Sequence, residues 1–366
     1  MNVESISTEN FRLLQTQTVS FSPNVNIIIG DNAQGKTTLL EAVYLLTGVK
    51  SFRSRYDKEM IAFDADEARI SGRIFAMERN QTIELFLYKG KRRMIRQNGV
   101  KKTGTELNES LKSVLFSPED LGLVRGPASG RRKLLDTAIT QLRPGYDSLI
   151  NDYSRINENK MRILKDWREK PDLLETLEDF SESMCRYSAK IIRYRASYVQ
   201  KLNDAAGKIH REFSGDKENL SIRYETVSTV TDALASEKEI YEQVKERQCQ
   251  LRNAELEAGQ CLVGVHKDDL SFIINGTDAK TYASQGQVRT AALSVKLAER
   301  DIFLQDTGEV PVLLLDDVLS ELDASRQEFV LNRIGGGQTL ITCCEDGSIS
   351  RMTGGEVLHM QKGLVT

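Results

Sequence analysis

The spacing of apolar residues divides the chain into two α/β ends around a helical middle. Ile27-Ile28-Ile29, inside Val25–Ile29, is a continuous apolar run, as expected of a strand buried on both faces. Val19–Phe21 precedes it across the turn residues Ser22, Pro23 and Asn24. A glycine-rich turn follows, then a predicted helix from about Thr37 to Leu46. Across residues 60–102, Arg69–Phe75, Thr82–Tyr88 and Met94–Gln97 read as a β-meander, with Lys89-Gly90 and Asn98-Gly99 as its hairpin turns.

From Arg131 to about Phe213 the period becomes helical. Tyr146, Leu149, Tyr153, Ile156, Ile163 and Trp167 form one stripe. After Pro171 a second stripe runs through Leu173, Leu177, Phe180, Met184, Tyr187, Ile191, Tyr194, Tyr198, Leu202, Ala205 and Ile209, with no Pro or Gly before Gly207. It predicts an amphipathic helix packed on a partner helix, about 50–60 Å long at 1.5 Å per residue. The aromatics of both stripes then belong to helix–helix core. A further helix is predicted over about Ala235–Ala258. The α/β pattern returns with helices at about Gln287–Phe303 and Ala324–Ile334, and strands at Val310–Leu315 and Gln338–Cys344.

Composition narrows the class. Of 366 residues, 40% are hydrophobic and 28% charged, which suits a globular core and excludes a collagen-like or largely disordered chain. No apolar run approaches a membrane span, and the first 20 residues carry Glu4, Glu9 and Arg12 without an apolar segment. Neither a membrane helix nor a signal peptide is expected, and the five cysteines, without CxxC spacing, read as reduced thiols of a cytoplasmic protein.

Net charge is −3, which gives no global hint of nucleic acid, yet residues 81–133 hold 12 Lys and Arg against 5 acids, a local net of +7. Lys89, Lys91, Arg92, Arg93, Arg96, Lys101 and Lys102 crowd the two hairpin turns. A second group is Arg125, Arg131, Arg132 and Lys133, and the predicted long helix adds Arg186, Lys190, Arg193, Arg195, Lys201, Lys208 and Arg211. Such runs are usually solvated faces. On a dimer, two of them can line a groove for phosphates, with Lys89, Lys91, Arg92, Arg93, Arg131 and Arg132 as candidate DNA contacts.

The candidate chemistry lies in three segments. Gly30-Asp31-Asn32-Ala33-Gln34-Gly35-Lys36-Thr37, followed by Thr38, fits G-x4-G-K-[ST] between a buried strand and a helix. Its backbone N–H groups can cradle phosphates, Lys36 supplies a point charge, and the Thr37 hydroxyl can ligate Mg²⁺. Val312-Leu313-Leu314-Leu315-Asp316-Asp317 is a buried strand ending in two acids. Asp316 is placed to hold Mg²⁺, and Asp317 to polarise an attacking water. The third segment is Ala283-Ser284-Gln285-Gly286-Gln287, which opens a helix about 30 residues before the acidic pair.

That third segment resembles the LSGGQ signature of ATP-binding-cassette (ABC) ATPases, with Gln285 in place of the first Gly. Ser320-Glu321-Leu322-Asp323 falls at that family's D-loop. One P-loop and one signature per chain imply, by resemblance, a homodimer that sandwiches ATP. Ser284, Gly286 and Gln287 of one copy then close over the γ-phosphate on the other. The fold so implied is α/β: an ABC-ATPase head with an antiparallel β-subdomain, built from residues 1–125 and 260–366, and an inserted helical arm over 126–259, with the signature near the junction.

Seven ordered segments sharpen the likeness to the RecF family of bacterial DNA gap-repair ATPases. They are Asn10-Phe11-Arg12, the P-loop, Ser51-Phe52-Arg53, Phe116–Leu121, Gly130–Asp136, Gly264–Leu270 and Ser284–Thr290. The sequence departs from that family's pattern at Leu134, Val265 and Lys267, and has Thr342-Cys343-Cys344 where transport ATPases carry a switch His. A Q-loop glutamine is not evident. The resemblance implies a weak, DNA-stimulated ATPase using ATP and Mg²⁺, with Arg12 among its nucleotide contacts. It also implies duplex and gapped or single-stranded DNA as partner, together with RecR, RecO and, indirectly, RecA. Residence would be cytoplasmic, at the nucleoid when on DNA. Another ABC-type subunit, of an SMC-like chromosome protein or a transporter, is the alternative. Glu119 and Asp120 read as caps of a helix start, and His266 as a structural histidine.

Overall fold

The computed structural model describes residues 1–107, 110–344 and 354–366. They form two compact units, Met1–Gly122 with Arg289–Thr366, and Leu123–Val288.

In chain order the first unit opens with β1 (Asn2–Glu9), β2 (Gln17–Ser20), β3 (Val25–Ile29) and α1 (Lys36–Leu45). β4 (Glu67–Ala76), β5 (Arg79–Tyr88), β6 (Met94–Gln97), β7 (Val100–Lys102), α2 (Gly104–Leu107) and β8 (Ser113–Phe116) follow. The second unit holds α3 (Ala128–Leu142), α4 (Tyr146–Asp166), α5 (Leu174–Ser214), β9 (Leu220–Glu225), α6 (Glu237–Ala258), β10 (Asp269–Ile274), β11 (Thr277–Asp278) and α7 (Ala279–Tyr282). α8 (Gln285–Thr307) leads back to the first unit, which ends with β12 (Val312–Asp316), α9 (Ala324–Arg333), β13 (Thr339–Cys343), β14 (Glu356–Gln361) and β15 (Leu364–Val365).

Two six-stranded sheets build the first unit. One has the order β15-β14-β3-β13-β12-β8, parallel from β14 to β8. Its central strands are mostly apolar and almost wholly buried because both faces are covered: Val312 through Asp316 and Thr339 through Cys343 are all buried. The other, β2-β1-β4-β5-β6-β7, is antiparallel. There burial alternates: Ala68, Ile70, Ile74 and Ala76 of β4 point inward with Ile83, Leu85 and Leu87 of β5. α1 belongs to the same core through Leu39, Leu40, Val43 and Leu45, with Val312, Leu314 and Leu340 of the parallel sheet. The P-loop helix is thus held by one continuous core cluster.

In the second unit α5 is one helix of 41 residues, about 60 Å long, and it packs on α3, α4, α6 and β9. Its buried face is broader than the stripe of large apolar residues. Ser181, Ser188, Ala189, Ala196 and Ala206 are buried, whereas Tyr194, on that stripe, is exposed beside Tyr146. Small residues let neighbouring helices approach, and they carry no hydrophobic signal in a sequence. Residues 260–288 lie in this unit, because β10 pairs antiparallel with β9 from Asp269↔Glu225 to Ile274↔Leu220.

Candidate functional site

The P-loop runs from the end of β3 into the first turn of α1, which Lys36 and Thr37 open. Ala33 and Gly35 take left-handed backbone conformations, φ 62° and 115°, which turn the loop back on itself. At Gly30 a side chain would meet the Met360 carbonyl oxygen at 2.3 Å, so only glycine lets β14 approach. Gln34 fixes the loop from behind: its carboxamide oxygen accepts from Lys362 N–H at 2.6 Å and its carbonyl from Gly363 N–H at 3.0 Å. Asp31, Asn32 and Ala33 are exposed. Lys36 Nζ donates to the carbonyls of Gly30 (2.5 Å) and Asp31 (3.0 Å) and lies 3.5 Å from Cys344 Sγ. Cys344 in turn donates to Asn32 Oδ1 at 3.2 Å.

The strand acid meets the loop threonine directly. Thr37 Oγ1 donates to Asp316 Oδ1 at 2.8 Å, and Thr342 Oγ1, on the adjacent β13, donates to the same oxygen at 3.0 Å. Burial pushes the Asp316 carboxyl above its ordinary pKa, while these two hydroxyls and the nearby Arg53 charge pull it back. Asp317 follows in a left-handed conformation, φ 53°. Its N–H donates to Thr342 Oγ1 at 2.9 Å, and its carbonyl accepts from Ser320 at 2.7 Å. The D-loop segment makes one tight turn, Leu319–Glu321, before Asp323 caps α9 by accepting from Arg326 N–H at 3.0 Å.

The hydroxyl of Thr37 and the carboxylate of Asp316 are oxygen donors of the kind that suit Mg²⁺ beside phosphates and water. Among the described residues no cluster of three or more His, Cys, Asp or Glu is placed to hold a metal ion alone. The donor set therefore fits a cation shared with a phosphate ligand.

Arg12 stands beside the same helix, with its guanidinium committed to protein groups. Nε is 2.5 Å and Nη2 2.9 Å from the two oxygens of Glu41, a fully buried carboxylate of α1 that also accepts from Ser51. Arg12 Nη2 also donates to Ser54, and Nη1 to the Glu59 carbonyl. Arg53 occupies the more open place. It donates to Thr38 Oγ1 at 3.5 Å, sits 3.7 Å from Glu41, and leaves 42% of its side chain exposed. The Ser51-Phe52-Arg53 segment was the available signal for it, but spacing alone assigned it no chemistry.

In the second unit Ser284 caps α8. Gln287 N–H donates to Ser284 Oγ at 3.2 Å, and Ser284 N–H to Gln287 Oε1 at 2.7 Å, a reciprocal capping box. Ser284 and Gln285 are exposed, Gly286 and Gln287 half-buried.

The basic positions separate sharply. Lys89, Lys91, Arg92, Arg96 and Lys101 are exposed on the hairpins. Lys91 Nζ stacks 3.8 Å over the Tyr88 ring. Lys89 donates to the Phe63 carbonyl at 3.2 Å, and the Phe63 side chain is wholly exposed. Arg93 is held by both oxygens of Asp57, at 2.9 and 2.6 Å.

Arg131 corrects the charge reading. It is 1% exposed, forks onto both oxygens of Asp269 at 2.6 and 2.8 Å, and donates to the carbonyls of Leu123, Val124 and Gly126. It cannot face DNA. Arg195 is likewise internal, bound to Asp136, Asp268 and the Val265 carbonyl. Arg132 is half-buried and donates to the Asp268 carbonyl at 2.7 Å. His266 bonds Tyr153 Oη through Nδ1 at 2.7 Å and the Cys261 carbonyl through Nε2 at 3.2 Å, and burial lowers its pKa. Asp120 accepts from the N–H and the hydroxyl of Ser117, closing the tight turn Pro118–Gly122.

A P-loop, an acidic strand end and a capped signature helix on this topology define an ABC-type nucleotide-binding head. The chain belongs to the RecF/RecN/SMC family, whose N-terminal-domain model matches residues 2–364. It is 37% identical to the DNA replication and repair protein RecF of Agathobacter rectalis, over 100% of this chain and 99% of that protein. It is 38% identical to the protein of that name from Listeria innocua, with the same coverage. A solved structure of the recombination mediator protein RecF-ATPrS in the RecFOR pathway superposes with a TM-score of 0.93, at 35% identity over 100% of this chain and 97% of that one. The RecF-ATP structure gives 0.90 at 35% identity over 100% and 96%. An SMC head domain from Pyrococcus furiosus, at 14% identity and a TM-score of 0.55, shares the fold, covering 100% of this chain and 95% of that one.

Proposed function

We propose that this protein is an ATP-switched DNA-binding protein of recombinational repair at single-strand gaps and stalled forks. The observation that carries the reading is the meeting of Thr37 with Asp316 at 2.8 Å beside Lys36. The relatives named DNA replication and repair protein RecF support the repair assignment, and the solved RecF-ATP complex supports the nucleotide.

In this reading the P-loop N–H groups and Lys36 bind the phosphates of ATP, and Thr37 with Asp316 holds Mg²⁺. The cation, when bound, neutralises charge on the β- and γ-phosphates. Asp317 orients a water whose oxygen bonds to the γ-phosphorus as the bond to the β–γ bridging oxygen breaks, releasing ADP and phosphate. Arg53 and the partner copy's signature turn offset the developing negative charge. Ser284, exposed at the cap of α8, meets the γ-phosphate bound by the other copy, so ATP joins two protomers and hydrolysis parts them.

Closure brings two sets of exposed hairpin cations together as a phosphate-binding surface. Lys91 and Arg92 lead this surface, and Phe63 beside it offers a ring for unstacked bases. Binding follows backbone and structure more than sequence. Turnover is slow and DNA-stimulated, and RecR and RecO act with the protein in loading RecA. No helix among the described residues is long and apolar enough to cross a membrane, and the reading places the protein in the cytoplasm, at the nucleoid when on DNA.

Fluorescence anisotropy with a gapped duplex tests this. ATP should tighten binding about tenfold or more, and affinity should fall steeply with salt. Equal affinity with and without ATP would contradict the switch.

A further inference from the structure

The signature turn is held from a direction that its sequence does not announce. Gln287 Nε2 donates to Glu218 Oε1 at 2.8 Å, while Gln287 Oε1 accepts from Ser284 N–H at 2.7 Å. A carboxylate only accepts, so Glu218 draws the NH₂ end of the amide to itself and turns the oxygen toward the Ser284 backbone. Without it only the Ser284 N–H orients the amide, and a flipped amide would set a donor against that N–H and open the cap.

Glu218 is itself fixed to the end of the longest helix. Its second oxygen lies 3.1 Å from Nε2 of His210, a fully buried ring in the last turns of α5. The Glu218 N–H donates to the hydroxyl of Ser214, the last residue of α5, at 3.1 Å, and that hydroxyl lies 3.4 Å from the Glu218 carbonyl. Gly215 and Asp216, both left-handed at φ 60° and 61°, reverse the chain so that Glu218 returns over the helix end. One unbroken hydrogen-bonded line thus runs from α5 through Glu218 and Gln287 to Ser284.

We propose that Glu218 is a positioning residue that sets the signature turn from the end of α5, so that ATP-driven closure depends on a side chain that contacts no nucleotide. The dependence of closure rests on the sandwich reading above; the positioning itself does not. A rotation or shift of α5 then has a defined route to the turn.

Hydrogen exchange on the full chain without nucleotide tests the positioning. Glu218→Ala should speed exchange at residues 283–288 about tenfold, with β3 and β12 unchanged. Gln287→Glu should loosen the same turn by setting two carboxylates together. Adding Glu218→Gln to it restores every bond with carboxylate and amide exchanged, and should restore protection. Unchanged exchange in Glu218→Ala, or no rescue by the exchange of groups, would overturn the proposal.

Closure is read separately, by light scattering with ATP. Glu218→Ala should need about tenfold more protein to self-associate, while the ATP affinity of the dilute chain stays within about twofold. Self-association equal to wild type would overturn the link to closure. A wild type that does not associate with ATP refutes the sandwich and leaves the exchange result to judge Glu218.

Discussion

The two units distribute charge and chemistry in opposite ways. In the first, the P-loop lysine and the strand acid are inside and the basic hairpin cluster outside: Asp316 and Lys36 are buried, and Lys91 and Arg92 are exposed. In the second, Ser284 is exposed, while Arg131 and Arg195 are sealed among Asp136, Asp268 and Asp269. Basic residues that look alike as charge therefore serve different ends. Arg131 and Arg195 stiffen the unit that presents the signature, and the hairpin residues stay available to a ligand. A charge count reports neither burial nor the presence of a partner carboxylate.

The largest effect should come from breaking the inside of the second unit. Arg195→Ala strands Asp136 and Asp268 without their cation and should lower stability by about 3–5 kcal/mol, read by urea unfolding. Lys91→Ala with Arg92→Ala should change stability by less than about 0.5 kcal/mol. If the two substitutions had equal effects on stability, the inversion would be wrong.

A smaller effect is expected where the second unit faces outward. Ser284→Arg leaves the fold intact and places a long cation at the exposed cap. It should remove ATP-dependent self-association while leaving ATP affinity within about twofold; an equal loss of ATP binding would place the signature in the same chain's pocket. The outward side of the first unit comes next. The Lys91→Ala, Arg92→Ala pair should reduce the dependence of log affinity for DNA on log salt by about one to two. An unchanged salt slope would remove these hairpins from the interface.

The mildest test uses cysteines. Burial pushes the thiols of Cys185 and Cys261 up to about 12, whereas Cys249 and Cys344 are exposed. A thiol reagent should modify two residues quickly at neutral pH, and ATP should shield Cys344 alone, because it touches Asn32 and Lys36. Shielding of Cys249 as well would point to a change far beyond the P-loop.

Much of the first unit was legible because its strands are buried on both faces. β3, β12 and β13 show as apolar runs bounded by the P-loop, the acidic pair and the glycines after α9. β1 was not legible: Asn2–Glu9 carries only Val3 and Ile6 as large apolar residues, and a register shift between Val3 and Ser5 breaks even that alternation. The β4–β5 turn was also missed, since Met77 and Glu78 adopt left-handed φ without the Asn-Gly signal that marks Asn98-Gly99. In the site, the P-loop and Asp316 follow from spacing. The pairing of Arg12 with Glu41 and the opening left to Arg53 depend on which side of α1 the loops cross, which no local pattern encodes. The Glu218–Gln287 contact joins residues 69 positions apart and had no sequence signal at all.

In the proposed mechanism the exposed signature of one copy closes on ATP held by the buried P-loop of another. Sedimentation of the full chain with and without ATP tests it most directly, on wild type, Lys36→Met and Ser284→Arg. An ATP-dependent dimer is expected for wild type, and monomers with or without ATP for both variants. A dimer of equal strength without nucleotide, or one that survives either substitution, would contradict it.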